Sequence, residues 1–330
     1  MKAITNVNPR DLKGATAQAQ QARQNGLAFV IAGGGSDVLG MMKDHLITPD
    51  VVINLKAIKG LDAITIDRDG LAIGGLTTLD TIARHPAIRQ QYRVLAEAAD
   101  GVATPQIRNV ATIAGNVCQR PWCWYYRQGF HCFKAGGNVC YSVGGENQFH
   151  AIFGGGPSHI VHPSDTAPAL IALNAAFRIV GPSGERTVPA ADFFTLPTAN
   201  PLHENVLNDG EVLAAITVPA APDSTRSTYH KVMDREAWTH AVVSAAVALE
   251  MNGDVCRRAR IALGGVAPIP WRLPEVERML AGQRITLELA AKAGEAAVAG
   301  ARPLAKNGYK VPLTKAVVKR TLESLREVRS

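Results

Sequence analysis

Four of the five cysteines, Cys118, Cys123, Cys132 and Cys140, fall in one stretch of a 330-residue chain, at gaps of four, eight and seven intervening residues. Thiolates are the soft ligands that iron–sulfur clusters select, and a [4Fe–4S] cube takes four of them. Tetrahedral zinc accepts the same set, but structural zinc sites pair their cysteines at gaps of roughly two to four residues. Here the first gap alone fits, and there is no Cys-x-x-Cys. Seven of the eighteen aromatic residues (Trp122, Trp124, Tyr125, Tyr126, Phe130, Phe133 and Tyr141) lie within 118–141, enough apolar surface to keep water from a cluster and tune its potential. Iron is the first reading, with zinc and a folded loop of free thiols as the alternatives. His131 is a substitute ligand or a packed loop histidine, and Cys256 reads as an inert buried residue.

Three further segments carry backbone and polar groups suited to an anion or cofactor. Gly33-Gly34-Gly35 follows the apolar run 27–32 and precedes Ser36 and Asp37, either of which suits a helix cap. Glycine lets a main chain approach a phosphate without a Cβ clash. Val38 stands where the last glycine of G-x-G-x-x-G would be and no Gly-Lys-Ser/Thr follows, so the loop is neither a Rossmann nor a Walker motif. It is an anion site of another kind or a tight strand-to-helix turn. Residues 104–116 gather Thr104, Arg108, Asn109, Thr112, Gly115 and Asn116, which suit a flavin edge or a polar loop satisfying its own backbone. His162-Pro-Ser-Asp165 places a carboxylate at a helix start, as a cap or as an acceptor for a ribityl hydroxyl.

The elements that must position these groups follow from periodicity and breakers. A helix over 11–23 ends at Gly26, a buried strand covers 27–32, a helix runs from 36 or 37 to about 45, and a strand covers 51–55. Strands at 61–66 and 71–74 flank the turn Asp67-Arg68-Asp69-Gly70. Residues 77–100 read as helical, and an apolar helix runs from Ser164-Asp165 to Leu173. Strands at 176–180 and 211–218 precede the best linker, 219–226. The tail offers strands near 228–235, 241–250 and 256–264 and helices near 274–281, 286–299 and 314–327. This is an α+β protein in three parts, 1–58, 59–222 with an insertion at about 117–150, and 223–330.

A net charge of +7 invites a nucleic-acid reading, but the basic residues are dispersed: Arg257, Arg258 and Arg260 flank a strand, and Lys315, Lys319, Arg320, Arg326 and Arg329 are spread along a helix. Solvated faces or a protein interface are favoured over DNA or RNA. No apolar run suits a membrane span. The first ten residues lack an apolar signal core, so the cytoplasm is expected, with the periplasm open if a signal-bearing partner carries the chain out. Clustered cysteines in a reducing compartment point to metal rather than disulfides.

Taken together, Phe29-Val30-Ile31-Ala32-Gly33-Gly34-Gly35-Ser36-Asp37, Gln106–Asn116 and His162-Pro-Ser-Asp165 closely resemble the FAD-binding subunit of the molybdenum hydroxylases, the xanthine dehydrogenase and carbon monoxide dehydrogenase family. Glu211–Pro219 and Tyr229–Arg235 fit that pattern in the same order, so the resemblance covers nearly the whole chain. The cysteine insertion narrows it to flavin subunits with an extra [4Fe–4S] cluster, as in periplasmic aldehyde oxidoreductases and 4-hydroxybenzoyl-CoA reductase. The resemblance implies a two-part FAD domain of the vanillyl-alcohol oxidase type and a C-terminal domain like that of carbon monoxide dehydrogenase flavoproteins. It implies that 29–37 hold the FAD pyrophosphate, that Thr104, Thr112, Gly115 and Asn116 line the flavin and ribityl chain, and that Asp165 and Lys231 add contacts, with FAD held non-covalently. The resemblance also implies a cysteine just before the His-Pro-Ser-Asp motif, where this chain has Ser158, so that either Cys118 serves as the fourth ligand beside Cys123, Cys132 and Cys140 or the site has only three thiolates. Implied partners are a molybdopterin-binding large subunit, a [2Fe–2S] small subunit and an external electron acceptor. A self-sufficient flavin oxidoreductase and a flavin-free zinc module are the rival readings.

Overall fold

The computed structural model describes residues 3–235 and 239–326, so Arg329 and the last residue of the helix expected over 314–327 lie outside the described residues. Three sheets organise the chain. The first is parallel, with Val51–Asn54 between Thr5–Val7 and Phe29–Ala32. Its helix, Leu12–Gln24, is capped by Asp11, whose carboxylate accepts from the Gly14 amide at 2.6 Å. The helix buries Ala15, Ala19 and Ala22 against Ile53.

The second sheet is antiparallel, in the order Ile64–Asp67, Gly70–Gly74, Val212–Pro219, Ala176–Gly181, Gly184–Pro189. Its last strand is polar and largely exposed, which is why it leaves no apolar signal in the sequence. The third is also antiparallel, running Trp271–Arg272, Val255–Gly264, Val243–Asn252, Thr225–Val232, with Gln283–Arg284 added beside Val255–Gly264. The expected linker at 219–226 is shorter than read, since the strand already begins at Thr225.

Between the two larger sheets lie helices Arg93–Asp100 and Thr166–Ala172. One core joins Ile73, Phe177 and Ile216 of the second sheet, Leu95 and Leu170 of the helices, and Ala246, Ala248 and Ala262 of the third. The third sheet is covered on its other face by helices Leu287–Ala296 and Lys310–Ser324, through Val247, Ile261, Ala290, Val318 and Leu322. The single helix expected over 77–100 is three: Leu79–Arg84, Pro86–Gln91 and Arg93–Asp100. Proline 86 disfavours the α conformation at His85, which is extended at φ −65°, ψ 119°. No helix among the described residues is long and apolar enough to cross a membrane.

Candidate cofactor site

The glycine turn and the 110–112 segment are pressed together. A Cβ on Gly34 would stand 1.9 Å from the Val110 carbonyl oxygen, and one on Gly33 would stand 2.9 Å from Thr112 Oγ1. Glycine is required here by close approach of backbone to backbone. Phe29–Ala32 form the strand that delivers the turn; Phe29 and Ile31 pack against the core of the first sheet. Asp37 does not cap helix Val38–Lys43. Its carboxylate instead accepts from Arg127 Nη2 at 2.8 Å and from the Arg120 backbone N–H at 3.1 Å.

Next to this turn lies a cavity of about 240 Å³, lined by Ser36, Asp37, Gly115, Asn116 and Asp165 among others. These residues come from three segments far apart in sequence. Asn116 is buried, its Oδ1 accepting from Ser164 Oγ and Thr166 Oγ1, each at 2.6 Å. Ser164, not Asp165, receives the Ala167 amide at the start of the following helix. That frees the Asp165 carboxylate, which accepts from Lys231 Nζ and from Tyr229 Oη, each at 2.7 Å. Burial, then the Asp165 charge, raises the Tyr229 hydroxyl well above the usual phenol range. Ala103, which also lines the cavity, has φ +44°, a left-handed conformation costly for a residue with a Cβ.

Thr104, Thr112 and Lys231, assigned by resemblance, are absent from the cavity wall. Thr104 caps the short helix Pro105–Arg108 by accepting the Ile107 amide. Lys231 donates to Asp165, to Gly101 O at 2.8 Å and to Thr239 O at 3.1 Å. With all three donors engaged, it orients Asp165 rather than facing the cavity. Thr112 accepts the Gly115 amide at 3.2 Å, holding the bend that exposes Gly115.

A second cavity of about 230 Å³ adjoins the first, the two sharing Trp122, Pro163, Asp165, Thr239 and His240. The Trp122 and His240 rings lie 5.4 Å apart, and both line both cavities. The wall of the second cavity includes Cys123 and His150. Burial pushes the Cys123 thiol up to about 11, and Cys132 and Cys140 add to that shift, so three of the four cysteines are electrostatic neighbours. Cys123 Sγ lies 3.4 Å from His150 Nε2, and Cys140 Sγ accepts the His159 backbone N–H at 3.4 Å. Trp124 packs edge-on against Phe149 and His150, and Tyr125 contacts Phe130 and Tyr141.

Cys118 is placed elsewhere. It ends helix Ile113–Val117 and packs against the core between the large sheets. Its thiol is pushed up to about 12 by burial, with no other cysteine contributing. His131 is exposed, and Cys256 is fully buried in a strand of the third sheet. Among the described residues, no group of three or more His, Cys, Asp or Glu side chains is arranged to hold a single metal ion. Sequence reasoning missed Arg127, Glu204 and His240, since no local motif marks a residue whose role is set by partners up to 118 positions away.

Residues 3–221 match the family model for the FAD-binding domain in molybdopterin dehydrogenase, and residues 228–325 match the carbon monoxide dehydrogenase flavoprotein C-terminal domain. The chain is 35% identical over 330 residues to the aldehyde oxidoreductase FAD-binding subunit PaoB of Escherichia coli strain K12, covering 98% of each chain. It is 29% identical over 296 residues to the carbon monoxide dehydrogenase medium chain of Hydrogenophaga pseudoflava, covering 88% of this chain and 87% of that one. A solved structure of carbon monoxide dehydrogenase from Hydrogenophaga pseudoflava superposes with a TM-score of 0.77 at 26% identity, over 98% of this chain and 97% of the other.

Proposed function

The chain belongs to the FAD-binding subunits of the molybdopterin dehydrogenases, and from that footing we propose that it is the electron-transfer subunit of an aldehyde-oxidising molybdenum hydroxylase, carrying FAD and a [4Fe–4S] cluster. Substrate would be oxidised on a separate molybdopterin-bearing large subunit, and electrons would reach this chain from a [2Fe–2S] small subunit and leave to an external acceptor. An aldehyde is favoured over an N-heterocycle because the relative at 35% identity is named an aldehyde oxidoreductase subunit. The observation that carries the reading is the convergence of Asp37, Gly115, Asn116 and Asp165 on one cavity beside a glycine turn packed on backbone.

When bound, FAD and a [4Fe–4S] cluster supply the redox chemistry, and the chain supplies position and electrostatics. Gly33 to Gly35 keep side chains away from the pyrophosphate, and Gly115 does the same beside the flavin. Asp165, held by Lys231 and Tyr229, is an oriented acceptor for a ribityl hydroxyl. Trp122 and His240 form an aromatic partition between the flavin cavity and the cysteine side.

The donor set suits a cluster in three of its four corners. Cys123, Cys132 and Cys140 are electrostatic neighbours beside an aromatic cluster, with the His159 N–H directed at the Cys140 sulfur. A [4Fe–4S] cube spreads its thiolates farther apart than one tetrahedral ion does, which suits thiols that neighbour one another without closing on a point. Cys118 packs against the core between the large sheets, and on that ground we assign the fourth corner to a group other than Cys118. The test is the anaerobic visible spectrum of the purified chain with iron and sulfide analysis. Flavin bands over a broad iron–sulfur absorbance, with one FAD and about four irons per chain, are expected. A colourless protein holding one zinc would overturn the reading.

A further inference from the structure

Asp37 is an unusual residue to find in a turn that would hold a pyrophosphate, because an acidic side chain repels a phosphate unless it is neutralised. It is neutralised from the cysteine-bearing segment. Arg127 Nη2 reaches Asp37 Oδ1 at 2.8 Å, with the two side chains 6% and 13% exposed. The same guanidinium donates to the carbonyls of Pro121 at 2.8 Å and Arg120 at 2.9 Å, and lies 4.4 Å over the Trp122 ring. The backbone just before Cys123 is thus gathered round one cation, and that cation is fastened to the flavin turn. Glu204 further braces the cysteine segment internally, pairing with Lys134 at 2.5 Å and with Arg120 at 3.0 Å, and Lys134 lies between Cys132 and Cys140 in sequence.

We propose that Arg127 is a positioning residue that couples the two cofactor regions, so that FAD binding and order in the cysteine segment strengthen one another. The inference rests on the reading above that FAD is bound beside the glycine turn. A side chain that holds both segments in one arrangement makes the arrangement favourable for one ligand already present when the other arrives. The coupling is reciprocal by thermodynamic necessity. Arginine suits the role because its planar fork serves a carboxylate and two carbonyls at once while stacking on an indole.

The experiment uses the full chain stripped of FAD, with and without removal of iron by chelation. FAD affinity is measured by flavin fluorescence, and backbone hydrogen exchange over 117–142 is followed with and without FAD. Wild type is expected to bind FAD on the order of tenfold more weakly after iron removal, and FAD is expected to slow exchange across 117–142. In Arg127→Met both effects should vanish, and Arg127→Lys should restore them in part. Asp37→Asn removes the partner charge with little change of shape and should behave as Arg127→Met does, which keeps the test open should that variant fold poorly. A wild type whose FAD affinity ignores iron and whose segment ignores FAD would overturn the coupling, as would effects that persist in both variants. If the chain never holds iron yet FAD still slows exchange through Arg127, the cluster reading falls and the coupling stands.

Discussion

Lys231 Nζ lies 2.7 Å from Asp165 Oδ2, joining a strand of the third sheet to the start of helix Thr166–Ala172, and both side chains are about 95% removed from solvent. The pair crosses the junction between the two family-matched regions, 3–221 and 228–325. It therefore fixes the acceptor carboxylate at the cavity and fastens the C-terminal region to it. Lys231→Met would leave the Asp165 carboxylate buried with the Tyr229 hydroxyl alone. The expected cost is about 3 kcal/mol in urea unfolding, with FAD affinity lowered, because an unpaired buried charge is dear. The Lys231→Met, Asp165→Asn double variant should recover much of the stability but not the affinity. A single variant within about 0.5 kcal/mol of wild type would refute this role.

Gly34 and Gly35 should respond differently to alanine. At Gly34 the new methyl carbon meets the Val110 carbonyl at 1.9 Å, so the turn must leave the 110–112 segment. FAD affinity should fall by more than about tenfold. At Gly35 the nearest atom is Leu39 Cδ1 at 3.5 Å and the obstacle is φ +81°, which costs about 1 kcal/mol while leaving the turn seated. Flavin titration of the two variants checks the ranking, and a Gly34→Ala protein with unchanged affinity would show that the contact is dispensable.

Iron content should separate the cysteines. Cys118→Ala is expected to retain its iron and sulfide, losing some stability from the packed thiol, since Cys118 faces the core between the sheets. Cys123→Ala, Cys132→Ala and Cys140→Ala should each lose most of the iron, because on the proposed reading each removes one of three neighbouring thiolate ligands. A Cys118→Ala protein depleted of iron would restore the assignment that sequence order suggests.

Burial lowers His162 to about 3, and the residue is 4% exposed. The native state therefore holds it neutral. Its contribution is fully present above the unfolded value of about 6.5 and is lost as pH falls, because the unfolded chain takes up a proton the native one refuses. The slope is about 1.4 kcal/mol per pH unit below pH 6.5. Replacing His162 by Gln should flatten the acid limb of the stability profile by about that amount between pH 6 and pH 4. Parallel wild-type and variant curves would contradict it.

The sequence made legible whatever depended on local chemistry. The glycine turn, the apolar strands and the His-Pro-Ser-Asp motif carry their constraints in adjacent residues, and the strand Phe29–Ala32 and helix Thr166–Ala172 sit close to where periodicity places them. Partnerships across the fold were not legible. Asp37 and Asp165 look like helix caps in one dimension, yet both carboxylates turn to cations 90 and 66 positions away. Cys118 shares spacing with the other cysteines but ends a helix whose inner face belongs to another core. The first break in 77–100, at His85, follows from Pro86 and is readable in the sequence, whereas the second, at Tyr92, carries no local breaker.

The account turns on this chain receiving electrons from a partner rather than from substrate. The direct measurement is anaerobic flavin absorbance after adding an aldehyde, first to the isolated chain and then to the native assembly purified through a tag on it. The flavin should stay oxidised in the isolated chain and bleach in the assembly. Bleaching in the isolated chain, or a flavin that stays oxidised in an assembly that is turning over, would contradict the account.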